Sequence, residues 1–205
     1  MTTDIDDLEV LERTVVIFDI CSSSTILEDL LLSENVRAFR DLIVSIKSFL
    51  KSEESKSKCE VYKFVGDGWV LLFPFQVDGI AVIAFMEALA RLYAKKAKKY
   101  VIPCLQSTPT IMGLSFGVDR GRLVRLKMMN KIEYVGRPIN IASRLQSAIK
   151  QKDNNPSSKV LFSKPSFNGL GLALGYRNAE VVHRTLRNIQ GGNKYSCVKL
   201  RLKAQ

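Results

Sequence analysis

Two carboxylates in this chain stand where carboxylates are seldom found without a partner. Asp19 closes the apolar run Thr-Val-Val-Ile-Phe, and Asp67 interrupts two β-rich runs in the segment Lys63-Phe-Val-Gly-Asp-Gly-Trp69. If the two strands are neighbours, both carboxylates emerge at one sheet edge and repel each other unless a divalent cation lies between them. Mg²⁺ suits that arrangement, because it takes one or two protein carboxylates and completes its octahedron with phosphate oxygens and water. Taken singly, each has a plainer explanation: Asp67 belongs to a tight turn, and Asp19 is placed to cap a following helix. A second pair lies further on. Asn140 and Arg144 are four apart, so on a helix they share one face. An amide and a guanidinium fork there would point together at an anionic ligand, or simply at water.

The elements that must carry these residues alternate along the chain without a repeat or an obvious linker. Thr14–Ile20 reads as a strand, followed by a polar Cys21-Ser22-Ser23-Ser24-Thr25 turn. Ser33 is a good N-cap for a helix whose stripe is Val36, Phe39, Leu42, Ile43, Ile46 and Leu50. Cys59–Val65 and Trp69–Phe73 form a hairpin around Gly66-Asp67-Gly68. Val77–Lys99 reads as a long helix, closed by Lys95, Lys96, Lys98 and Lys99 where cations suit the dipole. Met112–Val118 and Arg122–Met128 read as another hairpin, around Asp119-Arg120-Gly121. Pro138 opens a helix carrying Ile141, Leu145 and Ala148, which runs to the Asp153-Asn154-Asn155-Pro156 turn. Strands are expected at Val160–Phe162, Ala179–Leu186 and Tyr195–Leu202. This order fits an α+β, ferredoxin-like domain, an antiparallel-rich sheet with helices on one face.

Composition narrows the classes. With 205 residues, 46% apolar and 25% charged, the chain is expected to form a single domain over 1–205, its core in 14–150 and closing strands in 160–202. The longest apolar region, Val70–Ala90, is broken by Pro74, Gln76, Asp78 and Glu87, so it falls short of the roughly 20 apolar residues of a membrane span. The acidic lead lacks the order of a signal peptide, and a cytoplasmic location is expected. Cys21, Cys59, Cys104 and Cys197 are scattered and His183 is the single histidine, which argues against a zinc site and for free, mostly buried thiols. A net charge of +11 attracts polyanions: nucleic acid, an anionic membrane or a nucleoside triphosphate. RNA-recognition sheets present exposed aromatics in a Lys/Arg-Gly-Phe/Tyr segment, and none is present, so no nucleic-acid partner is expected.

Taken in order, three segments resemble the class III nucleotidyl cyclase family. FDICSSST is similar to the first metal segment, with Ser22-Ser23-Ser24 in place of Gly-Phe-Thr, and KFVGDGWVLLF is similar to the Lys-x-x-Gly-Asp hairpin. Gly136–Leu145 resembles the family's Gly-Asp-x-Val-Asn-x-Ala-x-Arg-Leu, with Arg137-Pro138 in place of Asp-Thr. Within the family, the Gly-Arg-Pro form and the stand-alone, compact chain look most like the bacterial pyrimidine (uridylate and cytidylate) cyclases of antiphage signalling.

The resemblance implies that Asp19, Ile20 and Asp67 hold two Mg²⁺ or Mn²⁺ ions. It implies that the ribose 3′-hydroxyl attacks the α-phosphorus and pyrophosphate leaves, with Arg144 meeting the growing charge and Asn140 orienting the ribose. Backbone N–H groups of Cys21, Ser22, Ser23 and Ser24 at a helix start would cradle the outer phosphates, and Lys194 would neutralise the triphosphate. In the family it resembles, the carboxylates and the Asn/Arg pair of one site come from different subunits, so the resemblance implies a homodimer with two composite sites. A separate effector protein responding to the cyclic nucleotide is implied as well.

The resemblance maps the family's two base-reading positions to Lys63 and Glu133. Lysine only donates and an ionised glutamate only accepts. Lys63 can serve uracil O4 while Glu133 accepts from N3–H, but adenine and cytosine, each with a ring acceptor beside an amine, satisfy the same pair. Phe64, Trp69 and Tyr134 either narrow the pocket or pack the core. The subfamily resemblance ranks UTP first, CTP second and ATP third.

Overall fold

The structure, a computed structural model, describes residues 8–149 and 158–203. Among these, eight strands form one sheet: β1 (Glu9–Ile20), β2 (Glu60–Val65), β3 (Gly68–Pro74), β4 (Leu114–Met128), β5 (Lys131–Val135), β6 (Lys159–Ser163), β7 (Glu180–Arg184) and β8 (Tyr195–Arg201). Their order is β2-β3-β1-β4-β6-β8-β7, with β5 also on β4. The β4–β6 pair is parallel and the others are antiparallel. The helices are α1 (Ser23–Leu32), α2 (Val36–Ser57), α3 (Gly79–Lys96), α4 (Arg137–Ser147) and α5 (Lys164–Gly169). No helix among the described residues is long and apolar enough to cross a membrane.

The period-two alternation of β1 decides which side chain goes where. Val16, Phe18 and Ile20 enter the large core with α1, α2 and α3, whereas Val15 and Ile17 face a smaller core with Ala142 of α4. Asp19 therefore points to the α4 side. The expectation of helices on one face is corrected here, because α4 covers the opposite face from α1–α3. Its apolar stripe, Ile141, Ala142 and Leu145, is fully buried there.

Three other expectations change. The hairpin around Asp119-Arg120-Gly121 does not exist. β4 runs unbroken from Leu114 to Met128 because β1 pairs with it from Ile20↔Leu114 to Glu9↔Arg125. Asp119 is buried in mid-strand, accepting a hydrogen bond from Ser163 Oγ. The turn comes instead at Met129 and Asn130, both at positive φ, and leads into β5. Ser33 closes α1 rather than capping α2, which starts behind Asn35. The long third helix starts at Gly79 behind Asp78, whose carboxylate accepts from the Ala81 amide at 3.2 Å, and ends as a π turn over Ala97–Val101. The turn at 153–156 lies outside the described residues. Cys21, Cys59 and Cys197 are buried and form no disulfide, as composition suggested.

Helix α4 can lie against the sheet because β4 carries a glycine beneath it. A Cβ on Gly117 would stand 1.9 Å from the Ala142 carbonyl oxygen and 2.5 Å from the Gln146 nitrogen. Both are backbone atoms, so the helix would have to lift. Gly117→Ala is expected to cost roughly 2–4 kcal/mol in urea unfolding, as overpacking of a close contact does. Gly175→Ala, with open space around its Cβ position, is expected to change stability by less than about 0.5 kcal/mol. Equal effects would mean that the α4 contact tolerates a side chain.

Candidate active site

The two carboxylates do meet. The register Phe18↔Trp69 sets the tip of the β2–β3 hairpin beside the end of β1. Gly68 makes the approach possible, since a Cβ there would lie 2.1 Å from the Phe18 carbonyl oxygen. The Asp19 and Asp67 carboxyls are within hydrogen-bonding reach, and Asp19 is pushed up to about 7, first by burial and then by Asp67. Asp67 Oδ2 is buried without a hydrogen-bond partner among the described residues. An orphaned buried oxygen beside a second carboxyl is a donor set that a divalent cation would satisfy, so the residues fit the metal that the resemblance implies. No group of three or more acidic, histidine or cysteine side chains that could hold a metal occurs among the described residues. Protein carboxylates alone would thus leave coordination positions for phosphate and water. The Ile20 amide donates to the Asp19 carboxyl, which opposes the upward shift.

Gln146 of α4 is a site residue that the sequence reading missed. Its Nε2 donates to Ser115 Oγ at 2.7 Å and lies 3.4 Å from Asp19 Oδ2, Ser115 being the cross-strand partner of Asp19. It stands one residue beyond the matched segment, and only the packing of α4 reveals its role. At 100° per residue, Arg144 lies about 200° and Asn140 about 240° around the helix from Gln146. Both are exposed. With Gln146 turned to Asp19, the Asn140/Arg144 face points away from the carboxylates of its own chain.

The Cys21–Ser24 turn is partly spent. The Cys21 amide donates to Gly113 O at 3.0 Å, which corrects its expected place in a phosphate cradle. Ser22 is left-handed at φ 57°, and its hydroxyl donates to Ile111 O at 2.8 Å instead of capping α1. Ser23 and Ser24 form the first turn of α1. Lys194 is exposed, in a short 3₁₀ turn before β8. Asp19, Ser115, Lys159 and Arg201 align across the sheet, so Lys194 lies seven positions along β8 from that line, roughly 20 Å away. It is not brought to the carboxylates of its own chain.

Lys63 and Glu133 are brought together. Lys63 Nζ lies 3.0 Å and 3.3 Å from the two Glu133 oxygens, although β2 and β5 are separated by three strands. The sheet curls so that Tyr62 packs edge-on against Tyr134, with ring centroids 4.9 Å apart. Tyr62, also missed, donates its hydroxyl to Glu133 and accepts from the Tyr134 amide at 3.0 Å. Hydrogen bonds from Tyr62 and then Lys63 hold Glu133 below the ordinary carboxylate range. The Glu133 hydrogen bond correspondingly raises Lys63. Trp69 and Tyr134 prove to be core residues, Trp69 stacked on Phe18 at 5.3 Å, while Phe64 is half exposed against Trp69.

No protein-family model matches the sequence, and no curated protein matches it. Solved structures match the fold. The adenylyl cyclase CyaB from P. aeruginosa aligns with a TM-score of 0.71 over 97% of this chain and 97% of its own, at 16% identity. The guanylyl cyclase Cya2 aligns with a TM-score of 0.67 over 94% and 92%, at 15% identity. The catalytic core of a rhodopsin-guanylyl cyclase with converted specificity, in complex with ATPαS, aligns at 0.63 over 99% and 100%, at 15% identity. The mixed sheet with its packed helices has the fold of class III nucleotidyl cyclase catalytic domains.

Proposed function

We propose that the chain is a nucleotidyl cyclase that converts UTP, with CTP second, into the 3′,5′-cyclic mononucleotide and pyrophosphate. The observation that carries this reading is the Asp19–Asp67 pair, two close carboxyls with one buried oxygen unsatisfied, on a cyclase fold. Mg²⁺ or Mn²⁺ bound there would supply Lewis acidity toward the 3′-hydroxyl and the triphosphate. The chain's own residues do the rest. Asp19 and Asp67 hold the charge-binding edge, and Gln146 fixes Asp19. Arg144 meets charge on the α-phosphoryl oxygens as the 3′-oxygen bonds to phosphorus and the bond to pyrophosphate breaks, while Asn140 positions the ribose. Ser23 and Ser24 present the start of α1 to the outer phosphates, and Lys194 is assigned to the triphosphate from the partner's side.

A homodimer is part of the reading. Val65, Met129 and Val135, near the base-reading pair, are 56%, 97% and 55% exposed, which suits burial against a second copy. The role proposed for the product is that of a second messenger in antiphage defence, read by a separate effector protein, with the enzyme in the cytoplasm. The test is cyclic-nucleotide formation from each of the four triphosphates with Mg²⁺ and with Mn²⁺. No cyclic product from any of them would end the cyclase reading.

Base selectivity rests on the Lys63–Glu133 edge, which Tyr62 holds with one donor beside one acceptor, as uracil O4 and N3–H require. ATP remains the alternative, since adenine meets the same edge. A mismatched base leaves a buried polar group unpaired, at about 1–3 kcal/mol, or roughly 5- to 150-fold per contact. Lys63→Met and Glu133→Gln are therefore expected to reorder the four triphosphates in equimolar competition, with products separated chromatographically. Arg144→Ala should lower turnover with all of them alike. Cyclic AMP as the dominant wild-type product would sink the pyrimidine assignment and leave the cyclase reading standing.

A further inference from the structure

We infer that Tyr62, the extra residue of a β-bulge in β2, determines base selectivity as a positioning residue, holding one oxygen of Glu133 so that the other alone meets the base. The inference rests on the cyclase reading of the site. Val61 stands opposite Leu71 and Lys63 opposite Val70, so Tyr62 falls between two successive partners on β3. Cross-strand partners share a face of the sheet. Leu71 belongs to the large core, with Val61 packed against it. Val70 and Leu72 belong to the smaller core on the α4 side, where Tyr62 packs as well. Strict alternation would send Lys63 to the face opposite Tyr62. The bulge keeps both on one side, and two consecutive residues thereby reach the same carboxylate. Bulges re-aim side chains in this way and are over-represented beside active sites.

The direction of the hydrogen bonds defines the task of Tyr62. The Tyr134 amide can only donate, and it gives its proton to the Tyr62 oxygen at 3.0 Å. The single hydroxyl proton of Tyr62 goes to Glu133 Oε2. Edge-on packing of the ring against Tyr134, with centroids 4.9 Å apart, keeps the hydroxyl there. Lys63 Nζ, 5.7 Å from the centroid of the Tyr62 ring, also lies closer to Oε2, at 3.0 Å against 3.3 Å for Oε1.

Oε2 is thus engaged twice, and Oε1 is left as the acceptor for a base. The ring N–H of uracil and the exocyclic amines of cytosine and adenine stand at different points of the base edge. An oxygen fixed in place tells them apart, whereas a carboxylate free to turn follows either.

The test is Tyr62→Phe in the full chain, which keeps the ring and removes the hydroxyl. Dissociation constants are measured for the four 3′-deoxynucleoside triphosphates, which lack the attacking hydroxyl and bind without turnover. The ratio between the tightest binder and the next is expected to fall by roughly three- to tenfold, the worth of one hydrogen bond. Inorganic tripolyphosphate, which has no base, should bind both chains alike. The carboxyl ¹³C resonance of Glu133 should titrate at higher pH in the variant, since Tyr62 comes first, before Lys63 and Lys131, among the groups that hold it down. Glu60→Gln, which replaces the acceptor of the Tyr134 hydroxyl in the same cluster, should leave the ratios unchanged. Equal ratios in the parent and Tyr62→Phe, no discrimination in the parent, or an equal loss in Glu60→Gln overturns the inference. Discrimination in binding without cyclic product from any ordinary triphosphate would end the cyclase reading instead and leave the role of Tyr62 standing.

Discussion

Asp67→Asn is expected to lower cyclase turnover by roughly a thousandfold or more while raising the melting temperature of the metal-free protein. The two effects share one cause. Two carboxyls at the edge of β1 and the β2–β3 tip repel each other once Asp19 ionises, above its raised value of about 7, and one of the four oxygens is buried without a partner among the described residues. An amide in place of Asp67 removes the repulsion and gives the Asp19 carboxylate a donor, so the fold gains stability. A gain of about 1 kcal/mol corresponds to roughly 2–4 °C in a domain of this size. The same change removes half of the anionic charge that would hold the cation, and with it the transition-state stabilisation. Melting in a chelating buffer at pH 8, beside turnover in millimolar Mn²⁺, reads both. A structural ion pair would behave in the opposite way, with turnover kept and stability lost. That outcome would remove the metal assignment.

Mixing two inactive chains, Asp19→Ala and Arg144→Ala, is expected to restore about a quarter of wild-type activity. In a dimer whose sites each draw carboxylates from one subunit and the Asn/Arg pair from the other, the mixed dimer puts both lesions in one site and none in the other. Random exchange makes half of the dimers mixed, each with one good site of two. The helical geometry supports this division, because the face that brings Gln146 to Asp19 turns Asn140 and Arg144 away from it. Lys194 also sits far from the Asp19 line in its own chain. Arg144 is exposed, so its truncation should leave the fold intact. Persistent inactivity after exchange, verified with two differently tagged chains, would place each site within one subunit.

Much of this was readable in the sequence, for reasons that differ between elements. β1 and the β2–β3 hairpin announce themselves locally, through an apolar run of strand length and an Asp-Gly turn. The Asn140–Arg144 helix does so through Pro138 and its apolar stripe. What was missed depends on neighbours that are remote in sequence. Asp119-Arg120-Gly121 has turn chemistry, yet pairing along the whole length of β1 keeps it extended. An amphipathic stripe tells that α4 buries a face but not which side of the sheet receives it; Gly117 settles that by admitting the helix closely. Gln146 and Tyr62 acquire roles only because Ser115 and Glu133 stand opposite them. The Cys21 amide, expected to meet phosphate, is taken by Gly113 because β4 begins alongside.

The place of β1 between β3 and β4 also sets a timetable. Its pairings are both remote: Val15 joins Leu72 on one side and Asp119 on the other. At a synthesis rate of roughly 5–20 residues per second, Val15 waits about 5–20 seconds for Asp119 to be made. Throughout that interval an apolar strand has at least one unpaired edge, the condition under which strands join the wrong chain. Asp19 places a carboxyl next to the last residue of that strand. A charge at the edge of such a strand is one of the devices that disfavour pairing with a foreign chain.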